Sequence, residues 1–143
     1  MVNKLMKKNK LNNKILKKKY EDIYKLGAYQ KYFTFNSFVI LKAIMDQIPS
    51  WSNLDVLDFG CGEGDLAAML SFAGARNVHA IDYSPEAIKI SKKRIKIPNI
   101  QFELLDGKDV KKKYDAIVMA GVLEHIDEPF SLLKKLIKNN LKK

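Results

Sequence analysis

A chain of 143 residues, 47% hydrophobic and 29% charged, suits one domain with a modest core and excludes wholesale disorder; it holds no apolar run of membrane-span length and no hydrophobic segment behind the basic N-terminus that would mark a secretory signal. Its single cysteine, Cys61, excludes an internal disulfide framework and points to a reducing, cytoplasmic setting. The net charge of +10 raises nucleic acid as a partner, but only Arg76 and Arg94 among the 26 basic residues are arginines, the type suited to bidentate phosphate and base contacts, so nucleic acid stays open without being favoured.

Taken in chain order, Leu16, Tyr20, Ile23 and Tyr24 share one helical face, with Gly27 as a stop signal and a basic tail over residues 1–10. Asn36 offers an N-cap to the apolar stretch Phe38 to Ile48, which Pro49 closes. Residues 1–50 are thereby expected to form a basic tail and helices serving as a cap or lid, with residues 51–143 as the core domain. After a loop, strands and helices alternate. Leu54 to Phe59 reads as a strand, Asp65 to Ala73 as a helix stopped by Gly74, and Val78 to Ile81 as a second strand. Ser84 caps a helix that begins at Pro85 and runs to about Ile95. Ile100 to Leu104 and Ala116 to Met119 give two more strands, and Pro129 opens a last helix carrying Phe130, Leu133, Leu136, Ile137 and Leu141 on its apolar side. Such alternation predicts an α/β fold with a mostly parallel, Rossmann-like sheet and helices on both faces.

The chemistry begins where the first strand runs into Asp58-Phe59-Gly60-Cys61-Gly62-Glu63-Gly64-Asp65. Alternating glycines allow positive φ and close approach of a ligand to the main chain, and the turn is expected to present a ring of free amides at a helix N-terminus. The spacing G-x-G-x-G departs from the dinucleotide fingerprint G-x-G-x-x-G. The acidic trio Asp58, Glu63 and Asp65 suits a ligand with positive charge, such as a sulfonium or an amine, better than a pyrophosphate. The next two strands end at Asp82-Tyr83 and Asp106-Gly107. At those edges one carboxylate can accept both hydroxyls of a ribose, another the exocyclic amine of adenine, and Tyr83 can face the base. Each aspartate alone would read as a turn or cap residue; their occurrence at successive strand ends points to a ligand.

With these motifs on the page, the segments Val56 to Asp65, Val78 to Ser84, Leu104 to Gly107 and Tyr114 to Pro129 resemble those of class I S-adenosylmethionine-dependent methyltransferases, nearest to the ubiquinone-type, small-molecule group. The resemblance implies that Asp58, Gly60, Cys61, Gly62 and Gly64 line the methionine end of the cofactor, that Asp82 binds ribose and Asp106 with Gly107 meets adenine, and that the backbone at Ala120 lies near the transferred methyl. It implies a methyltransferase acting on a small-molecule acceptor. A non-catalytic cofactor-binding module and an RNA methyltransferase are the alternatives. His125, in Glu124-His125-Ile126-Asp127, is the candidate general base or an orienting residue. The loop resembles the Glu-x-x-Glu-His metal motif of small-RNA 2′-O-methyltransferases only in part, since Gly121 stands at the first position and His79 lies upstream, so no metal is expected. Strands 3-2-1-4 are accounted for, whereas strands 5-7 have no candidate sequence and the last helix is read to the chain end. The expectation is therefore a C-terminally incomplete domain with weak turnover alone, its open fourth strand completed by a dimer mate or another chain.

Overall fold

The computed structural model describes residues 15, 18–19, 21–25 and 35–143. Residues 15, 18–19 and 21–25 are helical, as the spacing of Ile23 and Tyr24 predicts. Leu16, Tyr20, Gly27 and the basic tail lie outside the described residues. The remaining elements are α1 (Phe35–Met45), β1 (Asp55–Phe59), α2 (Asp65–Phe72), β2 (Asn77–Asp82), α3 (Pro85–Arg94), β3 (Ile100–Leu104), β4 (Ala116–Val118) and α4 (Pro129–Asn140), with short 3-10 turns at Gly107–Asp109 and Leu123–His125. No helix among the described residues is long and apolar enough to cross a membrane.

The sheet has the order β3-β2-β1-β4, and every neighbouring pair is parallel. Side chains of a strand alternate between faces, and the two faces bury separate clusters. Val56, Val78, Ala80, Phe102 and Val118 pack with Leu66, Ala67 and Leu70 of α2 and Ile88 of α3, while Leu41, Ile44 and Met45 of α1 add to the same side. Leu57, Phe59 and Ile81 pack on the other side with Val110, Tyr114 and Leu136 of α4. Helices thus cover both faces, the arrangement expected from alternating strands and helices. Ser84 caps α3, its hydroxyl accepting from the Ala87 amide at 3.2 Å.

The larger boundary differences from the sequence reading fall in α1 and α4. Within the described residues, α1 spans Phe35–Met45, so Asn36 lies within the helix, which ends ahead of Ile48. At the other end, α4 stops at Asn140, and Leu141 forms a parallel bridge to Tyr114. The Tyr114 amide donates to the Asn140 carbonyl and the Lys142 amide to the Tyr114 carbonyl, both at 2.8 Å, while the Asp115 amide turns to Asp55 of β1. Leu141 therefore occupies the first rung of a fifth position, on the side of β4 away from β1. The buried Asn140 amide bonds to the Val110 and Lys112 carbonyls and fixes where the helix lets go.

On the α4 face, His79 is buried between two partners. Its Nε2 stands 2.7 Å from Glu103 and its Nδ1 2.5 Å from the Tyr114 hydroxyl. A carboxylate only accepts, so Nε2 carries the proton and Nδ1 accepts from Tyr114, whose phenol burial holds up at about 12. Burial pulls the imidazole below its ordinary value, outweighing the upward pull of the Glu103 hydrogen bond. The unfolded chain takes up this proton as pH falls through about 6.5 while the folded chain does not, so stability is complete above that pH and declines below it. Urea unfolding at pH 7 and pH 5 is expected to show a larger loss in the parent than in a His79→Gln variant; equal losses would place the acid sensitivity elsewhere.

Candidate functional site

The strand order reverses between β1 and β4, and an open parallel sheet forms its ligand crevice at the carboxyl ends beside such a reversal. A cavity of about 740 Å³ lies there, within the size range of small-molecule sites. Each strand end contributes: Phe59 and Gly60 after β1, Asp82 and Tyr83 at β2, Leu105, Asp106 and Gly107 after β3, and Ala120, Gly121 and Val122 after β4. His125 and Glu124 of the following turn, and Tyr24 of the N-terminal helix, complete the wall.

Of the residues predicted from sequence, Gly60, Asp82, Tyr83, Asp106, Gly107, Ala120 and His125 meet around this one space, whereas Asp58, Cys61, Gly62 and Gly64 lie behind the lining. The glycine turn also differs from a ring of free amides. Gly60 and Cys61 both donate to the Ile81 carbonyl at 2.8 and 2.9 Å, Gly64 donates to the Cys61 carbonyl, and Gly62 donates to Asp82 at 3.0 Å. These amides are spent on bracing the turn against β2. What glycine supplies at position 60 is room: its φ is +78°, and a Cβ there would come within 2.5 Å of Val122. At Gly107 a Cβ would fall 1.8 Å from the Phe59 ring, so the end of β3 can approach β1 only because a side chain is missing.

The carboxylates divide by environment. Asp82 is buried, its two oxygens accepting from the Gly62 and Ser84 amides, and it lines the cavity. Burial raises its pKa despite those bonds. Asp58 is more deeply buried, with one oxygen unpartnered. Desolvation, and then the neighbouring Asp82 charge, push it up to about 7 against a hydrogen bond from the Ala67 backbone. Asp106 caps the 3-10 turn, accepting from the Lys108 amide at 3.1 Å with the Lys108 ammonium 3.1 Å away, so it fills the turn role and lines the cavity at once. Glu63 and Asp65 do not join Asp58 in a cluster for a cation: Arg94 takes both, at 2.7 and 3.0 Å. An orphaned buried carboxylate oxygen beside a second carboxylate is the environment that a sulfonium or ammonium ligand would relieve, and the residues present fit such a group.

Sequence reasoning missed three participants. Tyr24 is buried over the turn, its hydroxyl 3.0 Å from where a Gly62 Cβ would stand. Glu21, one turn earlier, accepts from the Ser84 hydroxyl at 2.5 Å. Val122 closes against Gly60. The helical face of Ile23 and Tyr24 was the only signal of the first two, and nothing in the sequence around Val122 announces its contact.

Residues 56–142, more than half of the chain, match the family described as Methyltransferase domain. The chain is 33% identical over 100 residues to the mitochondrial ubiquinone biosynthesis O-methyltransferase of Schizosaccharomyces pombe, covering 62% of this chain and 36% of that protein. Among solved structures it is similar to magnesium protoporphyrin IX methyltransferase of Synechocystis PCC 6803 with bound S-adenosylmethionine, at 25% identity and TM-score 0.58 over 73% of this chain and 54% of that one. A Haloferax volcanii methyltransferase in complex with the Trm112 activator shares the fold at 18% identity, with TM-score 0.76 over 86% of this chain and 55% of the other. The chain thus spans about a third of the curated relative and about half of these structures. On this match and this architecture, the chain belongs to the methyltransferase domain family.

Proposed function

We propose that the chain holds S-adenosylmethionine in the cavity between β1 and β4 and serves methyl transfer to a small-molecule acceptor. The observation that carries this reading is the convergence of Gly60, Asp82, Asp106 and Ala120, from four strand ends, on one space. The ubiquinone and protoporphyrin methyltransferases among the similar proteins support the choice of a small acceptor. When bound, the cofactor supplies a methyl group already activated on a sulfonium. In this reading the chain's work is placement: Asp82 accepts the ribose hydroxyls, Asp106 the adenine amine, and Tyr83 covers the base. Gly60 and Ala120 bring backbone close to the reacting end, while Asp58, Cys61, Gly62 and Gly64 shape the turn behind it. His125 lines the same cavity, where it can take a proton from the acceptor or orient the loop. Holding two reactants in line supplies about 7–11 kcal/mol of barrier reduction without a base. Tyr24 and Glu21 act as a lid in this reading.

We also propose that polypeptide from a second chain pairs along β4 beyond the Tyr114–Leu141 rung, where Ala116 and Ile117 are only half-buried. The activator complex of the Haloferax protein supports a partner. Light scattering is expected to show more than one copy of the purified chain; a monomer at high micromolar concentration overturns self-pairing and leaves a different chain as the partner.

Calorimetry with S-adenosylhomocysteine is expected to show micromolar binding, and no heat at millimolar ligand removes the cofactor reading. Asp82→Ala is expected to weaken binding by about 1–3 kcal/mol; an unchanged affinity moves the ribose elsewhere. Asp58 makes an independent pH prediction. A carboxyl raised to about 7 is protonated in the folded chain where the unfolded chain has already lost the proton, so its contribution is complete below about pH 4 and is lost as pH rises through about 7. Asp58→Asn, which cannot ionise, is therefore expected to gain stability relative to the parent on going from pH 5 to pH 8, as read by urea unfolding of both proteins.

A further inference from the structure

We propose that Arg94, at the end of α3, is a positioning residue for the cofactor-binding turn. The inference rests on the cofactor reading above and adds a residue outside the cavity lining. One guanidinium serves three acceptors: Nη1 donates to the Glu63 carboxylate at 2.7 Å and to the Glu63 carbonyl at 3.4 Å, and Nη2 donates to Asp65 at 3.0 Å. Glu63 is 2% exposed and sits between Gly62 at φ +52° and Gly64 at φ +92°. The first half of the turn is tied to β2 through the Gly60, Cys61 and Gly62 amides. On the far side of Gly62 this guanidinium holds the turn from α3, and Gly64, the N-cap of α2, makes no side-chain cap of its own.

Taking the guanidinium away from a buried carboxylate is strongly unfavourable. Without Arg94, Glu63 is driven toward water, and the glycines on either side of it offer little backbone resistance. Gly62 would move with it, and Gly62 donates to the same Asp82 carboxylate that faces the cavity. Arg94 therefore acts on the cofactor through Glu63, Gly62 and Asp82 in turn. Lysine, a point charge on a flexible stem, cannot span Glu63 and Asp65 in this fixed fork.

The test compares the parent chain with Arg94→Met, Arg94→Lys and the double variant Glu63→Gln/Arg94→Met, each checked by circular dichroism to be folded at the temperature used. S-adenosylhomocysteine affinity is expected to fall about tenfold in Arg94→Met, which corresponds to about 1.4 kcal/mol, by a smaller factor in Arg94→Lys, and to return close to the parent in the double variant, where the buried negative charge is removed together with the guanidinium. Amide exchange of Gly62 and Gly64 in the unliganded chain is expected to quicken in Arg94→Met and to slow again in the double variant. An ion pair that merely stabilises the fold would lower the melting temperature and leave affinity and turn exchange unchanged, and that result overturns the proposal, as does a double variant as weak as Arg94→Met. If Arg94→Met does not fold, Arg94→Lys against the parent decides on the same two readouts. A parent that binds no S-adenosylhomocysteine, with the exchange pattern as expected, defeats the cofactor reading and leaves the clamp standing.

Discussion

The carbonyl of Ile81 accepts hydrogen bonds from two consecutive amides, those of Gly60 and Cys61, and the geometry of the site follows from that junction. In the parallel register Phe59 lies opposite Ile81, so the chain leaving β1 must turn immediately while still bonded to β2. Only a residue tolerating positive φ can make that turn, and Val122 from the loop after β4 closes over it. Three strands are interlocked at one glycine. The next residue of β2, Asp82, then receives the Gly62 amide, which makes the cavity-lining carboxylate and the anchor of the turn neighbours in sequence. The site therefore cannot be assembled before β1 and β2 have paired, a contact across about twenty residues of crossover.

Buried carboxylates are the cost of this construction, and each is offset differently. Glu63 is paired with a guanidinium. Asp82 is solvated by backbone amides, an arrangement that leaves it able to accept more. Asp58 has the Ala67 backbone and little else, and it answers by holding its proton to about pH 7. These are the three remedies open to an acid taken out of water. Distributed over one turn, they separate groups that hold the loop from the group that lines the cavity, a distinction invisible in a row of acidic letters.

Much of the fold was legible in the sequence. Strand and helix alternation, the Ser84-Pro85 start and the Gly74 stop are local signals, and they placed the sheet and its two covered faces with shifts of a residue or so at the ends. The convergence of Asp82, Asp106 and Gly60 was legible too, because parallel strands put their carboxyl ends on one edge. What stayed hidden depends on partners distant in sequence. The amides of the glycine turn looked available because nothing local consumes them; Ile81 does. Glu63 and Asp65 looked like a cation site because Arg94 lies about thirty residues on. Leu141 looked like the last turn of a helix because its apolar spacing fits one, whereas the Asn140 side chain, by bonding two carbonyls of the β3–β4 connection, ends the helix and turns the chain alongside Tyr114.

The charge of the cavity argues in a direction opposite to that of the whole chain. A net +10 would by itself suggest an anionic ligand, yet the lining carries Asp82, Asp106, Glu124, Asp127 and Glu128 against Lys108 and Lys135. Both lysines are engaged, Lys108 with Asp106 and Lys135 with the Lys108 carbonyl. Field lines concentrate in a cleft with low-dielectric walls, so the local excess of carboxylates outweighs lysines spread over a solvated surface, where salt screens them within about 10 Å. A pyrophosphate entering here would meet uncompensated negative charge and a turn whose amides are already spent. A ligand bearing a sulfonium and an ammonium, with hydroxyls and an exocyclic amine to donate, meets acceptors at the ends of β2 and β3 and in the loop after β4. The same balance that weighs against a dinucleotide suits the adenosyl cofactor proposed above, and it does so through residues placed by the strand order rather than through the overall charge.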